Sequence, residues 1–278
     1  MSKLKNNGLR KILIIIGTLS VVGISAFYGR VNIRNFSLEL QKRQLPTEVR
    51  NVPSPRTDAL PLDATSTKAS TTSVKTVKAA GINLAVPFSS QAPYADWDPP
   101  YGEACEETSA LLVDHFYTAA KLTPEIVKQE ILKIVAWENA TFGYYEHTTV
   151  AETGRMLKEY FNYKRVDVSY DISLEDIKAE IMAGRPVIVP LAGRLIKNPY
   201  YRQPGPIYHM LVIKGLTKNG DFITSDVGTK RGANYVYDAA VLYGAIHDAP
   251  FGGGELTTSE LEKYIPTGRK AIIVVYPN

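Results

Sequence analysis

Cysteine occurs once in the 278 residues, at Cys105. A lone thiol can form neither an intrachain disulfide nor a multi-cysteine metal site, which leaves packing or nucleophilic chemistry. It stands in Tyr101-Gly102-Glu103-Ala104-Cys105-Glu106-Glu107-Thr108-Ser109-Ala110, where a loop turns into a helix. At a helix start, unpaired backbone N–H groups and the positive end of the dipole stabilise a thiolate. Such a nucleophile needs a base, and the chain has four histidines. His115 falls ten residues into the same helix, about 15 Å along it and out of reach. His147 stands at a helix edge as a surface or cap residue, and His247 ends a helix, where a cation suits the dipole. His209 differs, because it lies inside the apolar strand Ile207-Tyr208-His209-Met210-Leu211-Val212-Ile213, where a polar ring needs a partner.

Asp226, closing the segment Phe222-Ile223-Thr224-Ser225-Asp226, is the candidate partner, and register decides whether the two meet. A two-residue turn at Asn219-Gly220 sets Asp226 opposite Ile213, too far along the ladder for contact. A four-residue loop from Leu216 to Asn219, closed by Gly215 and Gly220, sets Asp226 directly opposite His209.

The elements that must carry these residues follow from periodicity. Ile82 to Phe88 reads as a short strand, followed by a long polar and aromatic loop from Ser89 to Glu103 that contains Trp97 and Pro99-Pro100. From Cys105 onward, Ala110, Leu111, Val113, Phe116, Tyr117 and Ala120 keep helical spacing, with Glu106 and Glu107 in the dipole-favoured first turn. Thr123-Pro124 starts a second helix running to about Trp137, and Thr148 or Thr149 a third ending near Phe161. Then the period changes. Lys164 to Tyr170 alternates as a strand, Ser173 caps a helix to Met182, and Pro186 to Leu191 reads as a buried strand. Ile207 to Gly215 and Phe222 to Asp226 form a hairpin. Helices over Tyr237 to Ile246 and Thr258 to Tyr264 precede a closing strand from Lys270 to Tyr276. A helical first half followed by a mostly antiparallel sheet is an α+β pattern.

The segments Val86-Pro87-Phe88-Ser89-Ser90-Gln91, Cys105 opening a helix, Tyr208-His209-Met210-Leu211-Val212-Ile213-Lys214-Gly215 and Asp226-Val227-Gly228-Thr229 resemble the papain-fold cysteine peptidases. Within these the chain is most similar to the bacteriocin-processing, double-glycine-leader peptidases and their stand-alone relatives, over residues 82 to 278. The resemblance implies a papain-like fold and peptide-bond hydrolysis through a covalent acyl-enzyme. Cys105 is then the nucleophile, His209 the base, Asp226 the group that orients the imidazole, and Gln91 a contributor to the oxyanion hole. Two departures stand out. Thirteen residues separate Gln91 from Cys105 where about five are usual, so the loop must fold back. Glu106 replaces a small residue after the cysteine, and a carboxylate there opposes a thiolate unless it points to solvent. A catalytically inactive peptide- or cell-wall-binding module, or a peptidoglycan stem-peptide amidase, would carry the same outline. Trp97, Tyr200 and Tyr201 flank the candidate residues in sequence and offer aromatic surface for a peptide groove. No metal-ligand spacing occurs, and no cofactor is implied.

The ends set the context. Ile12 to Tyr28 is an almost unbroken apolar run of 17 residues, preceded by Lys3, Lys5, Arg10 and Lys11. At roughly 25 Å long it reads as a signal peptide or a signal anchor, the uncleaved anchor favoured because the small-residue pattern around Ser25-Ala26 is poor; cleavage would make the protein secreted. Residues 1–40 are thus a transmembrane and juxtamembrane stretch. Residues 41–80, rich in Pro, Ser, Thr and Lys, read as a disordered linker, and 81–278 as the peptidase domain. The expected placement is single-pass in the cell membrane with the domain outside the cytoplasm. Residues 1–80 carry 13 Lys+Arg against 4 Asp+Glu, net +9, and 81–278 carry 19 against 24, net −5. The mildly acidic domain argues against a nucleic-acid partner, and the basic part suits an anionic membrane. A peptide or protein substrate is the expected partner.

Overall fold

The computed structural model describes residues 33, 35–50, 81–251 and 256–278, in two units, Met1–Leu45 and Pro46–Asn278. The expected anchor at Ile12 to Tyr28 and residues 51–80 of the expected linker lie outside the described residues. Among the described residues, no helix is long and apolar enough to cross a membrane. In the first unit, residues 35–43 are helical.

The second unit starts earlier than composition suggested. Glu48–Val49 is a strand, β1, pairing parallel with β2, Ile82–Leu84, through Glu48 opposite Asn83 and Val49 opposite Leu84. The linker reading is therefore corrected at residues 46–50. Two residues are too few to show a period, and the pairing rests on main-chain bonds and on side-chain anchors from Asn83, Asn234 and Lys214. Glu48 Oε1 lies 2.6 Å from Lys214 Nζ, and Lys214 is buried.

The helices are α1 (Cys105–Thr118), α2 (Pro124–Thr141), α3 (Val150–Glu159), α4 (Leu174–Met182), α5 (Ala239–Ala245) and α6 (Thr258–Tyr264). Thr123 caps α2 with Pro124 in its first turn, and Thr149 and Ser173 close capping boxes with Glu152 and Asp176. The remaining strands are β3 (Val166–Tyr170), β4 (Val187–Ala192), β5 (Tyr208–Leu216), β6 (Phe222–Ser225), β7 (Ala233–Tyr237) and β8 (Ala271–Val275). Tyr237, expected to open a helix, ends a strand instead, because Asp238 takes the cap by accepting from Val241 N–H. The α+β reading holds. Among the described residues all eight strands form one sheet, antiparallel except for β1 and β2, in the order β1-β2-β5-β4-β8-β3, with β6 and then β7 branching from the other edge of β5.

β5 is the centre. All nine of its residues are buried, and their alternation serves two cores. Met210 and Val212 pack in the core that includes Ala110 and Leu112 of α1 and Met156 of α3, while Leu211 and Ile213 join Ile177 of α4 and Leu242 of α5. Gly215 lets β2 approach, since a Cβ there would stand 2.4 Å from the Ile82 carbonyl oxygen.

Candidate active site

Cys105 is the first residue of α1, and the chain is buried without a break from Ala104 to Val113. This helix is driven into the core by its whole circumference, so its first residue is held rather than frayed. Cys105 is 5% exposed. β6 stops at Ser225 opposite Val212, so the β5 edge at Met210 has no strand beside it there. The Met210 amide donates instead to Cys105 Sγ at 3.3 Å. The thiol in turn donates to Glu106 Oε2 at 2.9 Å, not to His209.

His209 and Asp226 meet by a register that neither simple turn provides. Thr217–Asp221 forms a five-residue connection, with Leu216 opposite Phe222 and Gly215 opposite Ile223. A bulge at Lys214 then shifts the ladder to Ile213 opposite Thr224 and Val212 opposite Ser225. One step further sets Asp226 level with Leu211, a diagonal neighbour on the same face as His209. His209 Nε2 lies 3.0 Å from Asp226 Oδ1. Gly228 passes over the ring so closely that a Cβ would meet His209 Cε1 at 2.9 Å.

Asp226 is fully buried yet surrounded by donors. Tyr201 Oη (2.8 Å) and Tyr237 Oη (2.5 Å) reach Oδ2, as does Asn198 Nδ2 (3.0 Å), and the Gly228 amide reaches Oδ1 (3.1 Å). Burial pushes this carboxyl up, but His209, Tyr237 and Tyr201 together outweigh it and hold it below the usual range. Tyr201 was expected on a substrate groove. Its ring does line the cleft and stands edge-on to His209 at 5.5 Å, but its hydroxyl serves Asp226. Asn198 and Tyr237 were not read from the sequence. A buried tyrosine at the end of the pattern Tyr235-Val236-Tyr237 was the one available signal.

Cys105 and His209 border one cleft of about 730 Å³, with Asp226 buried behind the imidazole. Trp97, 41% exposed, and Tyr200 line it as expected, with the Arg231 guanidinium 5.0 Å from the Tyr200 ring. Arg202, Lys230 and Arg231 are exposed along its wall, and among the described residues none of the three forms an ion pair. His147 is not a plain surface residue. It also lines the cleft, and burial lowers its pKa. Gln91 reaches the cleft despite the long loop, because its backbone amide is pinned to the Val227 carbonyl at 2.9 Å. Its side-chain nitrogen donates to the carbonyls of Tyr101 (3.0 Å) and Gly102 (2.8 Å), bracing the turn that leads into Cys105.

Beside Cys105 lies a second set of buried carboxyls, Glu106, Glu107 and Glu138, each with no exposed surface. Glu106 Oε1 and all four carboxyl oxygens of Glu107 and Glu138 have no donor. Burial, then the neighbouring Glu107, push Glu106 well above the ordinary carboxylate range. Burial takes Glu107 up to about 8. Burial and Glu107 push Glu138 higher still. The Cys105 thiol is pushed up by burial, then by Glu106, against the Met210 amide. Among the described residues no group of three or more His, Cys, Asp or Glu is placed to hold a metal ion.

A thiol at a buried helix start, bordering a cleft with a buried imidazole–carboxylate pair, is the side-chain set of a thiol hydrolase on a papain-like α+β frame. The profile of the Peptidase_C39 like family matches residues 83–247, and the chain belongs to that family of cysteine peptidases. A solved structure from Bacillus anthracis, assigned as a C39-like peptidase, is similar at 13% identity and a TM-score of 0.41, covering 70% of this chain and 96% of its own. No curated protein matches the chain.

Proposed function

We propose that this cysteine peptidase is tethered to the membrane by Ile12 to Tyr28, faces outward, and hydrolyses peptide bonds through Cys105, His209 and Asp226. The observation that carries the triad is the 3.0 Å contact of His209 Nε2 with Asp226. It leaves Nδ1 as the ring nitrogen for the thiol proton. The thiol proton passes to Nδ1, and Sγ attacks the peptide carbonyl carbon. The resulting oxyanion is held by the Cys105 N–H, joined by Gln91 once it releases one of its carbonyl acceptors. Imidazolium then protonates the departing amine, and water cleaves the thioester. Asp226 fixes the tautomer and steadies the imidazolium throughout. The exposed cations Arg202, Lys230 and Arg231 along the cleft favour substrates that carry carboxylates.

The test compares labelling of Cys105 by a mild alkylator across pH in the native chain and in His209→Ala. Loss of a neutral-pH labelling phase in the variant supports the ion pair, and equal rates in both remove it. Protease accessibility of the domain on intact cells checks the outward placement. One observation favours a second reading, a binding-only module: the resting thiol bonds Glu106 and not His209. Peptide binding by the native chain without turnover would select it.

A further inference from the structure

The neighbour of the nucleophile has no role in that mechanism and yet touches its sulfur. Glu106 Oε2 is 2.9 Å from Cys105 Sγ, its side chain has no exposed surface, and Oε1 has no partner. The ionisable groups that face it are Cys105 and Glu107 on α1, Glu103 in the preceding turn, Glu138 on α2 and Tyr208 on β5. All are acidic, and among the described residues neither Glu106, Glu107 nor Glu138 forms an ion pair. Three negative charges in such a pocket carry a large desolvation cost with nothing to offset it. Neutral carboxylic acids remove that cost, and each gains an O–H donor.

We propose that Glu106 is a further catalytic residue, working as a carboxylic acid whose O–H donates to the Cys105 thiolate. This rests on the peptidase reading above. In the resting state the thiol donates to Glu106 through Oε2, as observed. When the thiol proton leaves for His209, the electron pair stays on sulfur and no bond to Glu106 forms or breaks. The Glu106 O–H then turns to the sulfur, which is held by two donors, this hydroxyl and the Met210 amide. Sγ attacks the carbonyl carbon, the amine leaves with the His209 proton, and after water cleaves the thioester the regenerated thiolate meets the same two donors. The residue that seemed to oppose the thiolate is thereby what stabilises it.

The test uses the full chain with iodoacetamide as the probe of Cys105. A hydrogen bond to a charged group corresponds to roughly 10- to 100-fold in thiolate population. Alkylation at neutral pH should therefore fall at least about tenfold in Glu106→Ala and stay within about threefold of native in Glu106→Gln, whose amide still donates. Acceleration in both variants would mean an ionised, repelling Glu106 and would overturn the proposal. Infrared difference spectra of native against Glu106→Gln read the same point without relying on turnover. A protonated-carboxyl band present in the native chain at neutral pH supports it, and its absence sinks it even if a variant folds poorly. Loss of turnover in Cys105→Ser bears on the peptidase reading alone, so the two failures stay distinct.

Discussion

Asp226 and the trio Glu106, Glu107 and Glu138 are equally buried and chemically near-identical, yet the protein holds them in opposite states. Asp226 sits among a histidine, two tyrosine hydroxyls, an asparagine amide and a backbone amide, and its carboxyl is lowered. The trio is almost bare of donors, and its carboxyls are raised. Depth of burial therefore does not set charge here. The supply of donors does, and it allows one active site to keep an anion on the histidine side and neutral acids on the cysteine side.

The largest break in this contrast is Asp226→Asn. It keeps the shape but offers the imidazole the wrong partner, and kcat/KM should fall about 10³- to 10⁴-fold with the fold intact by circular dichroism. Next comes Glu107→Gln. A carboxyl raised from 4.5 to about 8 binds more protons folded than unfolded between those values, so native stability falls as pH rises through that window. Removing the titration should stabilise the chain by about 3 kcal/mol at pH 7 and by little below pH 4.5, as read from urea midpoints. Asp226 has the opposite sign: its contribution is present above its unfolded value and is lost as pH falls through its lowered folded value. Should Glu107→Gln weaken the chain at pH 7, the neutral-acid side of the contrast is wrong. Tyr237→Phe removes one donor from the rich side, a charge-assisted bond of about 1.5–3 kcal/mol at most. The expected result is an acid limb of kcat/KM displaced upward in pH and a loss of roughly tenfold in rate. The smallest effect concerns the cleft wall. Lys230→Ala with Arg231→Ala should raise KM for acidic peptides several-fold at low salt, with the difference shrinking as ionic strength rises.

What the sequence made legible was local. Cys105 at a helix start, the caps at Thr123 and Ser173, a helix start at Thr148 or Thr149, and the largely apolar β5 strand all follow from patterns within a few residues. The His209–Asp226 pairing was foreseen as a contact but not in its register, because a bulge at Lys214 leaves no periodic signature. The burial of Glu106 was undecided in the sequence for a related reason. First-turn glutamates read as dipole-favoured, with the direction of Glu106 left open, and only the packing of α1 along its whole circumference turns them inward. Asn198 and Tyr237 reach Asp226 from 28 and 11 residues away, and contacts between separate elements carry no spacing rule.

β1 has a practical bearing on where this protein can be cut. A fragment beginning at residue 81, the boundary that composition suggests, discards Glu48 and leaves the Lys214 ammonium in the core with only Asn234 and the Val86 carbonyl for company. Lys214 is buried but the Glu48 side chain is 44% exposed, so the loss is smaller than the roughly 3–5 kcal/mol of a fully buried pair, yet it leaves an ammonium in the core without its anionic partner. A fragment that keeps this pairing begins at or before Pro46, and one beginning at residue 81 that aggregates would report on a missing carboxylate, not on a defective peptidase.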